Sequence, residues 1–222
     1  MFGSLLGIQQ IPRRPLLYSA DVSGQGGERG ERCDLALSCT RRALLGGAAA
    51  FGVLAPLGAL AQEPDPAAKL RPQPGDRLVF GAGDREGKLL SPADLVAGDA
   101  PISAWPMEPT AKLVRTGSRL NQVRVLRVDP ALLSAKAAES AAEGIVAYAA
   151  MCSHAGCDVM GWTAANHHLV CPCHGSEFDA LAAAAVAKGP ATQPLAMLPL
   201  ALHDGELVVA RGFTRAVGFK PL

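Results

Sequence analysis

Aromatic residues are scarce in this chain: Phe, Tyr and Trp together make up 5% of its 222 residues. An excess of one charge is missing as well, since 21 Lys and Arg against 20 Asp and Glu leave a formal net charge of +1. Binding to a phosphate backbone draws on a basic excess, so no nucleic-acid partner is expected. No internal repeat is visible. Gly81, Gly83 and Gly87 around Asp84 do not form a phosphate loop, because no helix opening with a Lys-Ser/Thr element follows them. There is no nucleophile–base set and no pair of carboxylates in a distinguishing context, which argues against a hydrolase. Cysteines number only six, too few and too clustered for a disulfide-stapled scaffold. The hydrophobic fraction of 49% is inflated by alanine, concentrated at 48–61 and 180–187, and does not imply a large core.

What is present falls into segments. Residues 1–39 have no clear periodicity, carry glycines among charges, and read as a disordered N-terminal extension. Cys33 and Cys39 lie there and receive no role. At 40–61, Arg41 and Arg42 precede an uncharged apolar run from Ala43 to Ala61, the pattern of a twin-arginine export signal. Cleavage after the small-x-small triplet Ala59-Leu60-Ala61 would release the remainder to the periplasm. Left uncut, residues 43–61 could serve as an inner-membrane anchor, with the arginines on the cytoplasmic side. The Pro-rich stretch 62–75 reads as a linker or hinge.

From residue 76 to 222 the pattern changes to short strands. Arg77–Phe80, Lys112–Arg115, Val123–Val128, Gly144–Tyr148 and His168–Val170 are expected strands, and Leu198–Leu202 and Leu207–Ala210 form a hairpin around Asp204-Gly205. Pro130–Glu143 is an expected helix, with proline in its first turn and alanines after it. Closely spaced strands indicate an all-β fold, an antiparallel sandwich or barrel.

Two short loops carry the chemistry. The first reads Cys152-Ser-His154-Ala-Gly-Cys157, the second Cys171-Pro-Cys173-His174-Gly-Ser176. Two thiolates and two imidazoles can bind zinc tetrahedrally, as in a structural zinc protein that only binds a partner. They can equally hold a 2Fe-2S cluster with two cysteines on one iron and two histidines on the other. Zinc leaves Cys157 and Cys173 without a purpose.

CSHAGC with CPCHGS resembles the paired loops of Rieske iron–sulfur proteins of the respiratory type, and Gly189-Pro190-Ala191 resembles the proline-containing loop that covers the cluster in that family. The resemblance implies a Rieske-type antiparallel β-sandwich over 76–222, with a small cluster-binding subdomain built on loops 152–157 and 171–176. By position, Cys152 and Cys171 would ligate the inner iron of a 2Fe-2S cluster and His154 and His174 the outer one. Cys157 and Cys173 would form a disulfide, which suits an oxidising compartment. It further implies that the outer histidines take up a proton on reduction, and that the Ser176 hydroxyl bonds a bridging sulfur. High-potential members carry tyrosine where this chain has Phe178, and quinol-oxidising members commonly carry leucine where it has Ala155.

The expected role is single-electron transfer as one subunit of a respiratory redox complex, with a c-type cytochrome or cupredoxin as acceptor. Phe178 and Ala155 tilt the reading to the small subunit of a periplasmic molybdenum oxidase of the arsenite oxidase kind. The stretch Asp94–Pro101 is loosely similar to that group. The Rieske subunit of a quinol–cytochrome c reductase is the alternative. A Rieske oxygenase is disfavoured, because those enzymes lack the additional cysteine pair. His167, His168, His203, Trp105 and Trp162 are read as surface or packing residues.

Overall fold

The structure, a computed structural model, describes residues 65–219. The expected extension 1–39, the signal or anchor 40–61 with Arg41 and Arg42, and residues 62–64 lie outside them. Among the described residues no helix is long and apolar enough to cross a membrane.

These residues form eleven strands in two sheets with antiparallel ladders. The strands are β1 (Arg77–Phe80), β2 (Ile102–Glu108), β3 (Leu113–Val114), β4 (Val123–Arg127), β5 (Ile145–Ala149), β6 (Gly161–Thr163), β7 (His168–Cys171), β8 (Ser176–Asp179), β9 (Ala185–Lys188), β10 (Leu200–His203) and β11 (Glu206–Val209). The larger sheet runs β10-β11-β1-β2-β4-β5 with β3 on β2, and the smaller runs β6-β7-β8-β9 in sequence order. The fold is therefore all-β and antiparallel, as the strand spacing predicts.

β4 and β5 form the layer between two cores, which explains their composition. Successive side chains of a strand point to opposite faces. Ile145 and Ala147 pack with Leu78, Val123, Val125, Leu198 and Leu207, while Val146 and Tyr148 pack with Leu126, Leu169 and Phe178. A strand buried on both faces has no polar side, and all five residues of β5 are buried. The smaller sheet thus shares a core with β4 and β5 and is held against them.

Two expectations differ from what is observed. Pro130–Glu143 is not one helix. It holds a 3-10 turn at Pro130–Leu132 and a single α turn, α1, at Ala135–Ala138. Leu133 between them is extended, the Ser134 hydroxyl caps Ala137, and the Ser134 N–H donates to the Leu181 carbonyl. That tether to the smaller sheet outweighs the helix preference of alanine.

The described part of the 62–75 linker, from Asp65, is docked rather than free. Asn121 Nδ2 donates to the Leu70 carbonyl, Arg71 Nη1 to the Leu120 carbonyl and Arg115 Nη1 to the Ala67 carbonyl. The Gly117 N–H donates to the Ala68 carbonyl. Beneath them Arg115 and Asp76 form a buried two-point ion pair at 2.5 and 2.8 Å. Proline-rich composition stiffens a segment, but the unused carbonyls of such a segment remain good acceptors, and here the domain supplies the donors.

Candidate metal centre

The two sheets deliver the two loops to one place. β5 runs into Cys152, and β7 ends on Cys171, which pairs with Ser176 at the end of the β7–β8 hairpin. Each loop curls back on its own first cysteine. The Gly156 N–H donates to the Cys152 carbonyl at 3.0 Å and the Gly175 N–H to the Cys171 carbonyl at 3.1 Å. Cys157 and Cys173 are joined by a disulfide, so the loops are covalently tied.

Cys152 and Cys171 are both buried and both free. The Cys152 thiol receives the His154 N–H at 3.5 Å. Burial pushes the Cys152 thiol up, the His154 N–H opposes that, and the neighbouring Cys171 adds to the rise. Two sulfurs held like this gain by losing protons to a cation, since a metal replaces the charge that burial penalises. In the same two loops the His154 and His174 rings meet edge to face, centroids 4.8 Å apart. The Cys171 sulfur also lies within 4.8 Å of those of Cys157 and Cys173. Those two are bonded to each other and offer no thiolate. The two loops thus offer two free thiols and two imidazoles, residue types that suit a 2Fe-2S cluster with unlike irons.

The remaining wall comes from the chain after β9. A Cβ on Gly189 would lie 2.6 Å from the Ser176 Cα and 2.7 Å from the Gly175 carbonyl, and its φ is +88°. Only glycine permits so close a crossing over the second loop. Ser176 is fully buried, and its hydroxyl accepts the Ala191 N–H at 3.2 Å, which leaves its own hydrogen free to donate elsewhere. Phe178 is fully buried in the core shared with Tyr148 and Leu169. Pro190 and Ala155 are exposed.

Some contributors carry no sequence signal. Ser153 Oγ donates to the Gln193 carbonyl at 2.5 Å, tying the first loop to the Gly189–Pro194 stretch. Tyr148 Oη donates to the Ala180 carbonyl. The histidines set aside on sequence lie outside the site. His168 pairs with Glu177 at 3.0 Å, His167 faces the Trp162 ring, and His203 is exposed beside Asp204. The bonds from His168 and Lys188 hold Glu177 below the usual carboxylate range.

Residues 105–199 match the model of the Rieske 2Fe-2S domain. The chain carries a Rieske domain. The cofactor of this domain is a 2Fe-2S cluster, in keeping with the donor set. Among curated proteins the chain is 36% identical over 96 residues to the cytochrome bc1 complex Rieske iron–sulfur subunit of Streptomyces lividans, covering 42% of this chain and 56% of that protein. It is 33% identical over 146 residues to a Rieske protein of Haloferax mediterranei whose name places it with a respiratory nitrate reductase, covering 65% of this chain and 60% of the relative. The matched region therefore spans little more than half the length of these relatives. Among solved structures, the cyanobacterial plasma membrane Rieske protein of Synechocystis PCC 6803 is 27% identical, with 50% of this chain and 85% of that one covered at a TM-score of 0.32.

Proposed function

We propose that this chain is an exported electron-transfer subunit of a respiratory complex, and that Cys152 and Cys171 hold the inner iron of its cluster while His154 and His174 hold the outer one. The observation that carries this is that two loops tied by a disulfide between their other cysteines also hold two unbonded, buried thiols and two touching imidazoles. A bound cluster of this ligand class supplies a one-electron couple at roughly −150 to +300 mV. The chain's own residues do the rest. Burial of Cys152 and Cys171 keeps water from the sulfurs. The disulfide holds the loops at fixed spacing, so little rearranges when charge changes. The exposed face of His174 offers a short path to a docked partner.

The electrons pass to a c-type cytochrome or cupredoxin. For the donor, Phe178 and Ala155 favour a periplasmic molybdenum oxidase of the arsenite oxidase kind: a fully buried Phe178 has no hydroxyl to bond a ligand cysteine, and an exposed alanine offers a quinone site little apolar contact. The Streptomyces relative favours the alternative, a cytochrome bc1 complex.

Purified protein should contain two iron and two acid-labile sulfide per chain and give a Rieske-type EPR signal after reduction. A colourless protein with one zinc per chain overturns the ligand assignment. Voltammetry then bears on the donor: a potential matching the high-potential quinol-oxidising class argues for the bc1 alternative.

A further inference from the structure

We propose that the C-terminal tail, residues 213–219, is a strap that holds the cluster-enclosing loops in place, with Phe219 and Arg215 as its positioning residues. This rests on the cluster reading above and extends it to a segment outside the loops and outside the matched region 105–199.

After β11 the chain turns back towards the loops. The Thr214 N–H donates to the Met197 carbonyl at 2.9 Å, and the Met197 N–H returns a bond to Thr214 Oγ1 at 3.1 Å. Val217 is buried with Ala149 and Ala196 in a small core of its own, flanked by Leu120, Met151 and Phe213. Ala149 ends the strand leading to Cys152, so the tail is seated at the root of the first loop.

From that seat two contacts reach the loops themselves. Arg215 Nη1 donates to Gln193 Oε1 at 3.3 Å and to the Pro194 carbonyl at 3.4 Å. Gln193 is also the residue whose carbonyl accepts Ser153 Oγ, so Arg215 grips the covering stretch at its junction with the first loop. Further on, the Phe219 ring lies against Gly156, where a Cβ would sit 3.3 Å from Cε1. Gly218, at φ +86°, lets the tail pass Met151 where a Cβ would come within 2.8 Å of the sulfur. Phe219 remains 49% exposed, so one ring face covers the loop while the other meets solvent.

The first loop is short and rich in small residues, and its own hydrogen bonds at Gly156 and Cys152 do not fix it to the body of the domain. The disulfide and the Ser153 bond tie it to the second loop and the covering stretch, and the strap adds a further attachment at Gly156. Its loss would admit water beside Cys152 and His154. Water stabilises the extra negative charge of the reduced state, so the potential should rise.

The test uses the full chain with Phe219→Ala, Phe219→Leu and Arg215→Ala. For Phe219→Ala, cluster bleaching by a chelator should be about fivefold faster or more, the scale expected from losing half an aromatic side chain's burial. Its potential should shift upward, and amide exchange at 152–157 should accelerate while β4 and β5 keep their protection. Arg215→Ala should accelerate exchange at 189–194. Phe219→Leu should restore most of the bleaching resistance. Unchanged bleaching, potential and loop exchange in Phe219→Ala overturn the strap, as does exchange that rises uniformly across both sheets. Absence of iron and sulfide in the parent protein overturns the cluster reading instead, and the exchange measurements still decide the strap.

Discussion

The Tyr148 hydroxyl donates to the Ala180 carbonyl over 2.5 Å and so bonds β5, the strand entering the first loop, to the turn that follows β8. Burial, with the nearby Asp179 charge, pushes the phenol well above its ordinary range and keeps it a donor. Tyr148→Phe leaves the carbonyl unpaired inside a core and should cost about 1–3 kcal/mol of stability. Urea unfolding checks this, with the midpoint falling at unchanged slope.

The disulfide closes a separation of 16 residues. Replacing Cys157 and Cys173 together by serine should remove about 3 kcal/mol through the freedom returned to the unfolded chain. Chelator-driven cluster loss should accelerate in the same variant. Reduction of the parent protein by dithiothreitol should reproduce both effects.

Phe178 and Ser176 form a pair of opposite tests. Phe178→Tyr adds a hydroxyl on the β8 face packed against the cysteine loops and should raise the potential, whereas Ser176→Ala should lower it. One hydrogen bond of about 1 kcal/mol corresponds to about 40 mV for a one-electron couple. Film voltammetry of the two variants measures both shifts. Shifts of the same sign would contradict the hydrogen-bond account.

Arg85 bonds Asp94 and, with the Ser91 N–H and hydroxyl, lowers its carboxyl to about 2. A carboxyl depressed in the folded state stabilises above its unfolded value of about 3.9 and loses that contribution as pH falls. The melting-temperature gap between the parent and Asp94→Asn should therefore be positive at pH 6 and close between about pH 4 and about pH 2. The gap should be small, because the pair is near the surface. A gap that does not change with pH would remove Asp94 from the acid response.

The Rieske domain and the disulfide could be read from residue order, and what could not has a physical reason. Cys152, His154, Cys171 and His174 stand out as candidate ligands because such donors are rare and their spacing is local. Alternation reveals β4, where one residue in two faces each core. The Pro130–Glu143 stretch misleads because alanine favours helix while the decisive contact, Ser134 to Leu181, is distant in sequence. Ser153, Arg215 and Phe219 are common residues whose roles come only from what the fold places beside them. The 65–75 stretch has linker composition, and its anchors Arg115 and Asn121 lie 48 and 51 residues from the carbonyls they hold.

That last anchoring has a mechanical consequence. Tension applied at Asp65 is carried by the Ala67, Leu70 and Arg71 bonds and the Asp76–Arg115 pair into the sheet containing β1 and β2. None of those attachments reaches the β6–β9 sheet. A pull from upstream is therefore divided among several bonds that enter the domain at different points, and no single attachment carries it alone.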